Sequence, residues 1–305
     1  MTDVRRPARL AAGDRVAVVA PSGPLKAERL EIGTNYLRDW GLKVELMPST
    51  LARHENLPYL ASEDTARAAD FRTAWLEPDF KAVFCGRGGY GVQRMLPHLD
   101  FDELAAVEKV FVGFSDITAL HEPLNARGLV TIHGPMAGAV EQLGAATGRD
   151  RLRDLLFTPE SVTDLLAPVG ARTVVAGTAE GRLLGGNLAL LAGSLGTPTF
   201  ARPAGIVVLE DVGEEGYKVD RLLTQLLRAG WFDQVTGLVI GDFTESDDRD
   251  LVSEVIRERL EPLGVPMVEG AAIGHDEVNL AIPLGLPVRF DATAATLTPL
   301  LPPLR

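Results

Sequence analysis

Asp14-Arg15-Val16-Ala17-Val18-Val19-Ala20, closed by the turn Pro21-Ser22-Gly23-Pro24, is the stretch on which the fold turns. A short, valine-rich apolar run ended by a turn is how a strand covered on both faces of a parallel sheet reads. A helix is expected next. Lys26 to Trp40 spaces apolar side chains at Leu30, Tyr36, Leu37 and Trp40 and stops at Gly41. Leu42 to Met47 reads as a second strand, and Ser62 to Leu76 as a second helix with Ser62 as its N-cap. Lys81 to Cys85 and Lys109 to Phe114 are a third and a fourth strand. Strand alternating with helix predicts an α/β domain with a mostly parallel sheet.

The alternation fades after about residue 140. Residues 156–172 contain Pro159, Pro168 and Gly170 without a clear period and are expected to link two domains, 1–155 and 173–305. In the second domain, Thr173 to Leu184 reads as strands, Asn187 to Leu195 as a helix and Gly205 to Leu209 as a strand. Tyr217 to Ala229 is the clearest helix, with Val219, Leu222, Leu223, Leu226 and Leu227 on one face. Strands at Gly237 to Ile240 and Pro287 to Leu297 and a helix at Asp248 to Leu260 complete a smaller unit with a β-rich, α+β or barrel-like core.

The bulk properties agree with this division. A chain of 305 residues suits two cores of roughly 150 residues each. With 46% apolar and 24% charged residues it is globular in composition. A net charge of -12 repels phosphate backbones and anionic lipid, so neither nucleic acid nor a membrane is an expected partner. The single cysteine, Cys85, permits no internal disulfide and suits a reducing compartment. Met1 to Leu10 is polar with three arginines, and no run approaches a membrane span, so a cytoplasmic location is expected. The five histidines, His54, His98, His121, His133 and His275, are scattered without a metal-ligand spacing.

Three places hold chemistry-bearing residues. Ser115 lies in Val112-Gly113-Phe114-Ser115-Asp116, between the fourth strand and a helix expected over Ile117 to Asn125, which Pro123 should kink or shorten. A side chain on such a turn projects at the carboxyl end of the sheet, beside unpaired helix N–H groups that can stabilise an oxyanion. The pattern is similar to a nucleophile elbow, with Asp116-Ile117 in place of its second half. Ser115 as a simple helix N-cap is the alternative. The second place, Gly86-Arg87-Gly88-Gly89-Tyr90-Gly91, matches G-x-G-x-x-G after a strand, the dinucleotide pattern. Pro97 stops its helix early and two strand-helix units precede it, so it reads instead as a loop that brings backbone N–H groups close to an anion, or as a tight turn. Cys85 before it reads as a small core residue rather than a nucleophile. The third place pairs Glu210, at the end of a strand, with His275 in Ile273-Gly274-His275-Asp276. A serine nucleophile needs a base, and the base needs a carboxylate, but a surface glutamate and a loop histidine would look the same.

Together these segments resemble the LD-carboxypeptidase family of serine peptidases, which includes murein tetrapeptide carboxypeptidases and microcin C immunity hydrolases. The likeness runs from Val18-Val19-Ala20-Pro21-Ser22 through the glycine-rich loop, the Ser115 segment, Ile132-His133-Gly134-Pro135, Leu184-Gly185-Gly186-Asn187-Leu188 and Leu209-Glu210-Asp211. It continues through Tyr217-Lys218-Val219-Asp220-Arg221 to Ile273-Gly274-His275 and Pro283-Leu284-Gly285. The resemblance implies a flavodoxin-like N-terminal domain and a β-rich C-terminal domain with the site between them. It implies a triad of Ser115, His275 and Glu210, and an oxyanion hole that maps to the backbone N–H groups of Gly89 and Asp116. It further implies a homodimer, no metal or cofactor, and cleavage of the L-to-D peptide bond before the terminal D-alanine of murein tetrapeptide during peptidoglycan recycling. Arg87 is a candidate to hold the terminal carboxylate of that peptide. The alternatives are a microcin C-type hydrolase of aminoacyl-nucleotide conjugates with the same triad, a nucleotide-binding module built on the glycine-rich loop, and a binding protein without activity.

Overall fold

The computed structural model describes residues 4–246 and 248–305; residues 1–3 of the expected first domain and residue 247 of the second lie outside the described residues. The strands are β1 (Arg15–Val19), β2 (Lys43–Leu46), β3 (Phe80–Cys85), β4 (Val110–Gly113), β5 (Thr131–His133), β6 (Arg172–Val175), β7 (Thr178–Asn187), β8 (Gly205–Val212), β9 (Val235–Thr244), β10 (Met267–Glu269), β11 (Ile282–Leu284), β12 (Pro287–Asp291) and β13 (Thr296–Pro299). The helices are α1 (Ala27–Asp39), α2 (Asp64–Leu76), α3 (Val92–Met95), α4 (Phe101–Ala105), α5 (Thr118–Ala126), α6 (Val140–Gly144), α7 (Ala146–Phe157), α8 (Leu188–Ser194), α9 (Gly216–Arg228) and α10 (Arg249–Leu260).

The valine-rich run from Asp14 forms β1, whose Val16, Ala17, Val18 and Val19 are all buried. It is the second strand from one edge of a six-stranded sheet ordered β11-β5-β4-β3-β1-β2. The five N-terminal strands pair in parallel in the order 2-1-3-4-5, the flavodoxin-like arrangement. In such sheets ligands bind beyond the carboxyl ends of the strands, and both the Ser115 turn and the glycine-rich loop leave from those ends. The sixth strand comes from the far end of the chain: β11 pairs antiparallel with β5, placing Ile282 opposite His133.

The second sheet has seven strands in the order β13-β12-β7-β8-β9-β10-β6. Its centre, β7 to β10, is parallel, and the flanking strands are antiparallel. The α9 face read from the sequence packs as expected, with Val219, Leu223 and Leu226 buried.

Several local expectations need correction. Pro287 to Leu297 is two strands of a hairpin rather than one, because Ala292 to Ala295 turn the chain. Glu63, not Ser62, precedes α2, and no side chain caps it; the Ser62 carbonyl instead accepts a bond from Arg67 at 3.0 Å. Pro123 neither stops nor shortens α5, which runs past it to Ala126 after one 3-10 turn at Ser115–Ile117. Residues 140 to 157, where the pattern faded, form α6 and α7. The segment expected as a linker is packed: Leu156, Leu165 and Leu166 are fully buried in a core cluster that also contains residues of both sheets.

Candidate active site

Ser115 sits where β4 gives way to α5. Its φ is +65°, a left-handed backbone that a non-glycine residue adopts at a cost of about 1–2 kcal/mol. The alternative role as a helix cap does not hold: Phe114 is the residue before the 3-10 turn, and no side chain caps it. The glycine-rich loop packs directly against the serine. A Cβ built on Gly88 would lie 2.8 Å from both the Cβ and the Oγ of Ser115, so only a glycine fits there.

The elbow is held from both sides by side chains. Asp116 is buried, and its carboxylate accepts the N–H of Val92 at 2.9 Å, tying the start of α3 to the turn. Burial pushes the Asp116 pKa up, against the hydrogen bonds it accepts. Thr118 Oγ1 accepts the N–H of Asn187 at 3.0 Å, which joins the elbow helix to the end of β7. Gly186 has φ +135°, and a Cβ there would lie 2.6 Å from Thr118 Oγ1, so the close approach of α5 to the end of β7 depends on glycine at this point.

Glu210 and His275 come together. The Glu210 side chain is wholly buried at the carboxyl end of β8, and its Oε2 lies 2.7 Å from His275 Nδ1. Burial disfavours the Glu210 charge, yet its two histidine neighbours, His133 and His275, hold its pKa well below the usual carboxylate range. Burial also opposes a charge on His275, but the hydrogen bond and charge of Glu210 outweigh it and raise the imidazole pKa above its ordinary value. The loop bearing His275 is fixed from the other half of the chain. Gln142 Nε2 donates to the carbonyls of Gly274 and Asp276, both at 3.0 Å.

Ser115 and His275 line one cavity of about 950 Å³, with Gly88, Gly89 and Phe114 between and beside them. The Phe114 and His275 rings stack obliquely with centroids 4.8 Å apart. With Nδ1 taken by Glu210, the His275 nitrogen left without a protein partner among the described residues is Nε2. Arg87 lines the same cavity. Its guanidinium donates to the Gly88 and Pro24 carbonyls, each at 3.2 Å, and has no acidic partner among the described residues. A separate, more apolar cavity of about 630 Å³, bounded by Leu184, Leu191 and Trp231, is lined by none of Ser115, Glu210 and His275. Cys85 is fully buried, and burial pushes its thiol pKa well up, so it is a core residue and no nucleophile. Among the described residues no group of three or more His, Cys, Asp or Glu side chains is arranged to hold a metal ion, and no helix is long and apolar enough to cross a membrane.

Sequence reasoning missed the supporting side chains. Asp211 accepts from Asn187 Nδ2 at 2.8 Å and from the N–H groups of Ala189 and Val212 at 2.9 and 2.8 Å. Burial, with the Glu210 charge beside it, pushes Asp211 up to about 7. Its signal was its place directly after Glu210. His133, on β5, is read from the sequence only as part of the Ile132-His133-Gly134-Pro135 segment and is given no role there.

A serine on a left-handed turn and an imidazole bonded to a buried carboxylate thus line one cleft between the two domains. The chain belongs to the LD-carboxypeptidase family, whose N-terminal domain matches residues 16–134 and whose C-terminal domain matches residues 180–290. It is 50% identical over 303 residues to a Streptomyces coelicolor protein provisionally named a carboxypeptidase, covering 98% of this chain and 97% of that one. It is 35% identical over 285 residues to the murein tetrapeptide carboxypeptidase of Pseudomonas aeruginosa, covering 89% and 91%. The fold is also that of the microcin C7 self-immunity protein MccF, solved in complex with glutamyl sulfamoyl guanosine, with a TM-score of 0.89 at 23% identity over 98% of this chain and 99% of that one.

Proposed function

We propose that this chain is a serine-type LD-carboxypeptidase that removes the terminal D-alanine from murein tetrapeptide, with Ser115 as nucleophile, His275 as base and Glu210 as the carboxylate that orients it. The observation that carries the reading is the 2.7 Å contact between His275 Nδ1 and buried Glu210, which leaves Nε2, unpaired among the described residues, on a residue that lines the same cavity as Ser115.

In this reaction Ser115 Oγ attacks the carbonyl of the residue before D-alanine and gives its proton to His275 Nε2. The oxyanion is met by the N–H groups of Asp116 and Gly89 at the elbow and the loop packed on it. The intermediate collapses, the C–N bond breaks, and the leaving amine takes the proton from His275. Water then gives a proton to His275 and attacks the acyl-enzyme; as this second intermediate collapses, the bond to Ser115 Oγ breaks, Ser115 takes the proton back from His275 and the shortened peptide leaves. Glu210 keeps Nδ1 protonated and stabilises the imidazolium in both halves. Arg87, without an acidic partner among the described residues, suits the terminal carboxylate of the leaving D-amino acid.

Hydrolysis of aminoacyl-nucleotide conjugates by the same triad is the competing reading. The 35% identity to a murein tetrapeptide carboxypeptidase over nine-tenths of its length favours the peptide over the conjugate, since the identity to MccF is lower, 27% over 93% of this chain. Incubating the purified protein with murein tetrapeptide and, separately, with glutamyl sulfamoyl guanosine tests the choice. Free D-alanine from the first and no hydrolysis of the second is expected. The reverse result replaces the peptide by the conjugate.

A further inference from the structure

We propose that His133 is a positioning residue of this site: its Nε2–H holds Glu210 Oε1, and so fixes the carboxylate plane that presents Oε2 to His275. The inference rests on the Ser115, Glu210 and His275 reading and adds a fourth side chain to it.

His133 is the last residue of β5, paired in register with Gly113 on β4 and with Ile282 on β11. It therefore stands in the sheet beside the strand end from which Phe114 and Ser115 leave. Its side chain is fully buried, and neither ring nitrogen has a hydrogen-bond partner among the described residues. Glu210 is equally buried. Its Oε2 is bonded to His275, while Oε1 has no hydrogen-bond partner among the described residues. The two orphaned atoms face each other: Nε2 of His133 lies 3.8 Å from Oε1 of Glu210.

Buried polar atoms without partners are rare, and two of opposite character at this spacing are each other's natural partner. A side-chain rotation of less than about 1 Å brings them within hydrogen-bond reach. Catalytic hydrogen bonds are often long before substrate is bound. The neighbours leave His133 little other choice. The Phe114 ring meets it edge-on at 5.7 Å, and His121, 6.3 Å away, is already committed to Thr131 Oγ1 and the Gly113 carbonyl, both at 2.8 Å. Glu210 would then be gripped at both oxygens. A carboxylate held by Oε2 alone can swing about its last torsion and release His275; one held at both oxygens cannot.

Proton and nitrogen NMR of the intact protein tests this. In the wild type the His133 ring should carry its proton on Nε2, and the His275 Nδ1–H should give a far-downfield resonance. His133→Phe, which keeps the ring volume, should lose or broaden that resonance and lower kcat roughly 10- to 100-fold with KM changed less than about twofold, the effect of one lost hydrogen bond to a charged group. His133→Gln, which keeps an N–H donor, should restore most of both. A wild-type His133 with a bare Nε2 overturns the proposal, whether or not the variants fold. So does a folded His133→Phe protein with the resonance and kcat intact. Failure of the triad itself reads differently, as Ser115→Ala or His275→Ala variants that stay active.

Discussion

His275 Nδ1 lies 2.7 Å from Oε2 of Glu210, a carboxylate with no exposed surface. The pair leaves Nε2 as the imidazole nitrogen without a protein partner among the described residues and, in the proposed reaction, governs the pH at which His275 serves as base. Glu210 favours the protonated imidazole, so the His275 pKa is raised, and His275 can act as a base only above that raised value. Activity should therefore rise with pH through a midpoint above the ordinary histidine value of about 6.5. In Glu210→Gln the charge is gone, the midpoint should move to lower pH, and kcat should fall about 100- to 10,000-fold. A kcat/KM profile across pH 5 to 9 checks both; an unchanged midpoint in the variant would count against the pairing.

The strained turn at Ser115 separates function from stability. Removing the hydroxyl in Ser115→Ala or Ser115→Gly should lower kcat by at least roughly 1000-fold. The two variants should differ in stability. Glycine relieves the left-handed φ of +65° and alanine does not, so Ser115→Gly should be more stable than Ser115→Ala by about 0.5–1 kcal/mol in urea unfolding. Equal stabilities would mean that the turn relaxes when the hydroxyl is lost.

Gly88→Ala would place a methyl group 2.8 Å from Ser115 Cβ and Oγ. The serine or the loop must move. Because a misplacement of about 1 Å can lower a rate roughly 100-fold, kcat should fall by about that factor while the protein stays folded. A kcat near wild type would show that the loop yields freely.

How much of this was legible in the sequence follows from length and locality. The runs that became β1, β3 and β4 are apolar and bounded by turns, and α9 is long enough to show its period, so both domains could be read. β5, β10 and β11 have three residues each, too few for any periodicity, and β11 joins a sheet that was begun more than 100 residues earlier. Ser115, Glu210 and His275 were named because the order of their surrounding segments resembles a family. The clamps were not. The Asp116 carboxylate on Val92 and the His133 ring beside Glu210 depend on approaches of 24 and 77 positions along the chain, which leave no local mark.

Arg67 shows what fixes the loops around the cleft. It is almost fully buried and donates to the carbonyls of Pro21, Gly91 and Ser62 while pairing with Asp64. Arg67→Met would leave buried carbonyls without donors. It should destabilise the protein by about 3 kcal/mol in urea unfolding. A loss under about 1 kcal/mol would mean that water or a rearranged loop replaces the guanidinium.

Stereochemistry separates a Ser115-dependent LD-carboxypeptidase from any other peptidase. Murein tetrapeptide and its all-L isomer should be offered to the wild-type protein and to Ser115→Ala, and the terminal alanine released should be measured over time. The wild type should release D-alanine from the natural peptide and little or none from the all-L isomer, and Ser115→Ala should release none from either. Equal cleavage of both isomers, or undiminished release by Ser115→Ala, would contradict the proposed function.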